Sequence, residues 1–600
     1  MIRRRRRQPM NPASRTLRRR LGVLFGLATL VALPGAVGAD AAGAGAVQAE
    51  AAQEESQGHG APSAKAPTAS TVSFEEARAL LRAREFDRAA EALRALAGAT
   101  PQDDAVWRAL GQAYAGAERW AEAVEAHLRS ARSESLREAA WWDAARALAR
   151  LERTQEMLLI LERLAERGAT DMTRIGTVPD FAPYRDHPRV RALWPTLEDL
   201  DRPFVEDVRV LHEWRGEAAG DSFGWIARRL GDQNGDGVFE VVTSAVGVRG
   251  QDGGAGAGRV YVFSGKDGSP LWTRDGEAGW RLGRGVESAG DVDGDGLDDV
   301  VASAPGGDRV FVFSGKSGAT LRVIEASQPG ESFGQHVTGA GDLDGDGHAD
   351  LLVGAPQNRS RGQAAGRVAV YSGRDGALLW EVFGDRDGDR LGETGAAGAV
   401  GERQVLLAGA PGAGEAWLFD GLHAQPKSVF RAELSGSAFG GMFMSVVGDL
   451  DADGLEDLYI SDWGDGVRGP QTGRIYLFSG ADGRRLLTLA GEAAGDGFGI
   501  GIADAGDVNN DGHDDLAVGA WQHGGAAPGG GKVYVISGKN GAPLRHITSR
   551  AMGETFGFDT THLGDVDGDG TVDLLVTSAW SPVGHGARTG RVFVIAGSSP

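Results

Sequence analysis

Six short acidic segments carry the residues best able to do chemistry in this chain. In Asp291-Val292-Asp293-Gly294-Asp295-Gly296-Leu297-Asp298-Asp299, carboxylates stand at positions 1, 3, 5 and 9. If the backbone curls round one ion, Asp291, Asp293, Asp295 and Asp299 converge on it. Gly296 permits the sharp turn, and the carbonyl of Leu297 points inward. Hard oxygen donors at this spacing suit calcium better than zinc or copper. An EF-hand would add a glutamate at position 12, which is missing, and short strands flank the segment, so the expectation is a calcium loop within a β-hairpin.

Five further segments repeat the pattern. They are Asp232, Asn234, Asp236, Val238 and Glu240; Asp342, Asp344, Asp346, His348 and Asp350; Asp449, Asp451, Asp453, Leu455 and Asp457; Asp507, Asn509, Asp511, His513 and Asp515; and Asp565, Asp567, Asp569, Thr571 and Asp573. Asparagine at position 3 still offers a carbonyl oxygen, at lower charge. At position 7 only the backbone carbonyl is needed, whatever the side chain. Solvated acidic turns without metal are the alternative, but six in register argue for about six structural calcium ions. Carboxylates crowded this closely repel one another, so calcium should stabilise folding. Residues 398–405 supply no such set. Asp385-Arg386-Asp387-Gly388-Asp389 has arginine where glycine is needed and is rejected as a site.

The elements that position these loops recur every 50–60 residues. Phe-Gly or Leu-Gly opens each unit, at Phe223, Leu282, Phe333, Leu391, Phe439, Phe498 and Phe556. An acidic loop follows, then a strand ending in small residues such as Gly354-Ala355-Pro356. A strand like Arg259-Val260-Tyr261-Val262-Phe263, a Lys-Asp-Gly turn and an outer strand like Leu271-Trp272-Thr273 complete the unit. Seven four-stranded units make an all-β, seven-bladed propeller over 204–600. The last unit stops at its third strand, and 208–214, within a closing segment 204–217, resembles the missing fourth. It is expected to close the ring, which removes an exposed strand edge.

Phe-Gly, Asp-x-Asp-Gly-Asp-Gly and Gly-Ala-Pro in this order resemble the FG-GAP repeats of integrin α-subunit propellers, over about two-thirds of the chain. The resemblance implies a calcium loop on the first hairpin of each blade and ligands on the opposite face. Five blades carry long connections between second and third strands there, at 246–258, 357–366, 464–473, 522–531 and 581–590. Trp463, Trp521 and Trp580 stand where three of these connections begin, with Arg468, His523, His585 and Arg588 nearby. Such a cluster suits a protein or glycan; the alternative is that each tryptophan packs on the neighbouring blade. No Arg-Gly-Asp sequence occurs.

Before the propeller, 71–200 reads as an all-α segment with a 34-residue period. Trp107, Leu110, Gly111, Tyr114, Ala123 and Leu128 form the clearest unit. Ala77, Leu80 and Ala89 precede it, and Trp141, Ala145 and Leu148 follow. The pattern resembles tetratricopeptide repeats, which implies a groove for a peptide or protein; a bundle that only packs on its neighbour is the alternative. Residues 40–70 read as a flexible tether. Residues 1–39 read as a secretory signal, with an arginine-rich start, an apolar run at 21–33 and small residues at 37–39; an uncleaved anchor is the alternative. They hold nine arginines and no acidic residue, so cleavage would take the formal charge from −21 to −30 and leave no membrane span.

The acidity excludes nucleic acid as a partner. The absence of cysteine excludes disulfides and thiolate chemistry, which leaves calcium as the staple of an exported chain, whether periplasmic, cell-surface or extracellular. His336, His348, His513, His546 and His562 are scattered, and no Gly-x-Ser-x-Gly, His-Glu-x-x-His or phosphate loop appears. A non-enzymatic scaffold or adhesion protein is therefore expected, with a secreted hydrolase or lyase on the propeller face as the alternative.

Overall fold

The computed structural model describes residues 72–597, except 168–171, 177, 194, 251–252, 434–437 and 584–587. The expected signal, the tether and His585 lie outside the described residues. Six helices come first: α1 (Phe74–Arg82), α2 (Phe86–Ala99), α3 (Asp104–Gly116), α4 (Trp120–Ser130), α5 (Glu134–Arg150) and α6 (Thr154–Arg167). Ser73 and Glu76 form a capping box on α1, and the Asp103 carboxylate accepts the N–H groups of Ala105 and Val106 at the start of α3. The turns inside the three pairs fall at Arg84, Glu118 and Glu152, all left-handed at φ 59°, 59° and 56°. These turns are 34 residues apart, which is the sequence period. Small residues set the helix spacing: a Cβ on Gly111 would lie 2.5 Å from the His127 ring.

Seven four-stranded antiparallel sheets follow. Blade one comprises Phe223–Leu230, Glu240–Ala245, Arg259–Phe263 and Pro270–Asp275. Blades two and three lie within 286–325 and 337–383. Blade four comprises Gly395–Val400, Arg403–Ala410, Glu415–Asp420 and Ser428–Arg431, and blades five and six lie within 444–490 and 498–548. Blade seven takes Thr560–Gly564, Asp573–Ser578 and Arg591–Ile595, and its fourth strand is Val210–Arg215, with Trp214 opposite Val592. Closure by the segment before the first blade is thus as expected. That segment also grips blade six, where Glu206 accepts the Thr548 N–H at 2.6 Å and Phe204 pairs with Ser549.

The second strand is buried along its whole length in six blades, and in blade four from Val405 onward, so the core is a set of apolar layers between neighbouring sheets. The Phe-Gly pair explains itself here. The ring enters its own blade and meets a third-strand tyrosine edge-on: Phe223 with Tyr261 at 5.2 Å and Phe439 with Tyr476 at 5.2 Å. The glycine turns back against the previous blade. Gly283 has φ 86°, and a Cβ there would lie 2.5 Å from Ser244 Cβ. The helical segment meets the propeller through Met552, which packs on the helical core, and through the Leu200 carbonyl, which accepts from buried Arg591 at 2.8 Å.

Candidate metal centres and the face opposite

The acidic hairpins share one internal architecture. In 291–299, Asp291 accepts the N–H groups of Gly294 at 2.7 Å, Asp295 at 3.1 Å and Gly296 at 2.9 Å. Asp293 accepts from Asp295, and Asp295 from Leu297. Asp299 starts the second strand. One of its oxygens accepts the Val292 N–H at 3.0 Å and the other the Gly315 N–H at 3.1 Å. The same bracing recurs at Asp350, Asp457, Asp515 and Asp573. The loop is therefore shaped by its own backbone donors, and the acidic side chains are held rather than splayed.

Held this way, the carboxylates crowd together. Three ligand oxygens lie within 4.8 Å of one another in Asp232/Asp236/Glu240, Asp291/Asp293/Asp295, Asp342/Asp344/Asp350, Asp449/Asp451/Asp453 and Asp565/Asp567/Asp569. In the sixth hairpin, Asn509 turns its amide nitrogen to Asp515 at 3.3 Å. Burial and then the charge of Asp236 push Glu240 up to about 7. Burial pushes Asp299 and Asp457 up to about 6 despite the N–H groups they accept. By contrast, the N–H of Gly237 lowers Asp232 and that of Gly512 lowers Asp507. Two buried oxygens, Glu240 Oε2 and Asp451 Oδ1, have no hydrogen-bond partner. An all-oxygen donor set with orphaned oxygens and costly negative charge fits a hard divalent cation.

Sequence comparison gives the same grouping. The FG-GAP repeat family matches residues 286–320 and 333–371, and the FG-GAP-like repeat family matches 507–576. The propeller contains FG-GAP repeats. Integrin alpha-4 of Xenopus laevis is 28% identical over 209 residues, covering 32% of this chain and 20% of that one. Integrin alpha-5 of Xenopus laevis is 34% identical over 161 residues, 25% and 14% of the two chains. Integrin alpha-IIb of Mus musculus is 30% identical over 268 residues, 38% and 25% of the two chains. The matched region spans a quarter or less of each of these relatives. A solved structure of BamB from Moraxella catarrhalis overlaps 65% of this chain and 99% of its own at 13% identity, with a TM-score of 0.35, too low to bear on function.

Blade four has no acidic hairpin. Its first two strands join through Gly401 and Glu402 alone. The rejected segment 385–389 is occupied locally: Asp389 accepts the N–H groups of Asp385 and Arg386, and Asp387 that of Gln363. Sequence reading missed the neighbours of the hairpins. His348 Nδ1 lies 2.9 Å from the Val292 carbonyl, and His513 Nδ1 lies 2.7 Å from the Leu450 carbonyl, so each position-7 histidine ties its hairpin to the one before or near it in the ring. Arg484 contacts Asp451 at 2.6 Å, and Arg209 contacts Asp567 and Asp569.

On the opposite face the expected tryptophan row is realised only in part. Trp521 and Trp580 do meet, edge-on with centroids 4.7 Å apart. Trp521 is 6% exposed, however, closed off by Trp580 and Phe558, and His523 is buried against Asp496 at 3.2 Å. These two residues belong to the packing between blades. Trp463 and Trp580 remain half-buried, Arg588 lies over the Trp580 ring at 4.2 Å, and exposed Arg468 donates to the Gly491 carbonyl.

A second group went unnoticed because its members are spread over four blades. Residues in or just before the first strands meet round the propeller axis. Arg228 of blade one binds Glu287 of blade two and Asp559 of blade seven. Burial alone would lower the Arg228 guanidinium, but Asp559 and Glu287 hold it above its ordinary value. Burial pushes neighbouring His336 down to about 3, so its ring is neutral at pH 7.

Proposed function

We propose that this protein is an exported recognition scaffold whose FG-GAP propeller is stapled by about six calcium ions. The observation that carries the reading is the recurrence of three converging carboxylates at the same hairpin of five blades. Side chains at positions 1, 3, 5 and 9 would hold each ion, with the position-7 carbonyl of Val238, Leu297, His348, Leu455, His513 or Thr571. The 507–515 hairpin would join them once Asn509 turns its oxygen inward. Bound calcium neutralises carboxylates that burial otherwise drives toward protonation, and so favours the folded state.

The matched relatives are integrin alpha subunits, which favours recognition over turnover. A protein or glycan is proposed for the face of Trp463, Trp580, Arg468 and Arg588, and a peptide or protein for a tetratricopeptide-like module at 71–200. Export follows from the order of residues 1–39.

Purified protein should contain calcium, and chelation should lower its melting temperature by linkage. Protein without calcium, melting at one temperature with and without chelator, would overturn the reading. Alanine at Trp463 and Trp580 should weaken capture of the partner in variants that remain folded, with some loss of melting temperature because both rings pack on the blade core; undiminished capture would move the partner elsewhere.

A further inference from the structure

The axial opening on the face away from the hairpins contains a cation that the rest of the fold does not use. Arg284 follows Leu282-Gly283 at the start of blade two and lines a cavity of about 70 Å³ with Gln335, His336, Glu393, Met442 and Phe443. Among the described residues no carboxylate lies within 4 Å of its guanidinium, and its side chain makes no hydrogen bond. Its one close partner is the Trp225 ring, 4.7 Å away, whose buried Nε1 is itself unpartnered. Burial pushes the guanidinium down to about 10.

The carboxylates around it are already engaged. Glu393 is held by Arg390 at 2.6 Å, and Glu287 and Asp559 share Arg228. A further cation entering the cavity would find no free negative partner and would meet Arg284. An anion would give Arg284 the direct partner it lacks, since Glu393 acts on it only at longer range and Arg281 opposes it. The cavity holds roughly two water volumes, the space of two carboxylate oxygens. Arginine presents a planar fork that matches this geometry, and a low-dielectric wall of Met442 and Phe443 strengthens the contact.

We propose that the axial mouth receives a single carboxylate group, offered by a small organic acid or by an acidic side chain of a partner, with Arg284 gripping it against the Trp225 ring. The site does not depend on the metal centres, so it stands whether or not calcium occupies the hairpins.

The test uses the full chain and saturation-transfer NMR with two probes: glutarate, and the blocked peptide acetyl-Gly-Glu-Gly-amide. Both should bind the wild type, and the glutamine version of the peptide should not. Binding of glutarate alone would assign the site to small acids, and binding of the peptide, to a protein partner. Arg284→Gln should weaken binding by at least about ten-fold, the smallest loss expected for a charge-assisted contact. Arg284→Lys should retain part of it, and both variants should keep the wild-type melting temperature. Equal binding to Arg284→Gln, equal binding of the glutamine peptide, or no binding of either probe to folded wild type would overturn the proposal. If Arg284→Gln does not fold, loss of the peptide signal when a lysine replaces its glutamate decides the sign of the site.

Discussion

Gln233 occupies the second position of its acidic hairpin, where the other five hairpins have valine or leucine. Val292 and Leu450 are fully buried there, and Gln233 is 6% exposed. Neither its Oε1 nor its Nε2 has a partner, so a primary amide is desolvated without compensation. Gln233→Val should therefore stabilise the protein by about 1 kcal/mol, read as a higher denaturant midpoint at unchanged slope. An unchanged or lower midpoint would mean that the amide is satisfied in solution. The apolar second positions are visible in the sequence as a pattern, but their cause is not. At Val292 and Leu450 the position-9 carboxylate accepts the second residue's N–H and the side chain lies in the core, whereas Val508 makes the same bond and stays exposed. The ligand spacing was legible because it is local, whereas Arg209 and Arg484 reach the hairpins from elsewhere in the chain.

The helical pairs show what periodicity captures and what it misses. The 34-residue repeat appears as left-handed turns at Arg84, Glu118 and Glu152, and helix-forming residues with small interface positions made it readable. The period gives no signal for His127 on α4. In the structure it is 1% exposed, filling the space that Gly111 on α3 leaves, and its Nδ1 has no partner. Burial, reinforced by Arg108 and Arg146, pushes its imidazole down from 6.5 to about 4. The unfolded chain thus binds a proton between these values that the folded chain refuses. The stability contributed by the neutral ring is fully present above pH 6.5 and is lost as pH falls toward 4, about 3 kcal/mol in all. Wild type should lose more stability than His127→Leu between pH 7 and 4.5, measured by helical ellipticity in denaturant with calcium held constant. Parallel pH profiles would place a charged or solvated imidazole in the native state.

At the scale of the whole molecule, ring closure was legible because the seventh unit lacks a strand and a matching strand stands before the first. The coupling of helices to propeller was not, since its centre is one residue, Arg591, with contacts hundreds of positions away. Arg591 is fully buried at the start of the third strand of blade seven. It binds Glu554 at 2.5 Å, Glu213 of the closing strand at 3.1 Å and the Leu200 carbonyl at 2.8 Å. One guanidinium therefore ties together blade seven, the strand that closes it and the end of the helical segment. Removing it leaves the Glu554 carboxylate buried without its partner, a loss of roughly 3 kcal/mol or more where a buried pair is broken from one side. The helical core also touches the propeller through Met552, so the two parts should melt together while both contacts stand. Arg591→Met should lower the melting temperature and split the calorimetric transition, with helical ellipticity lost first. A single transition in the variant, even at a lower temperature, would show that Met552 and the 203–207 segment couple the two parts without Arg591.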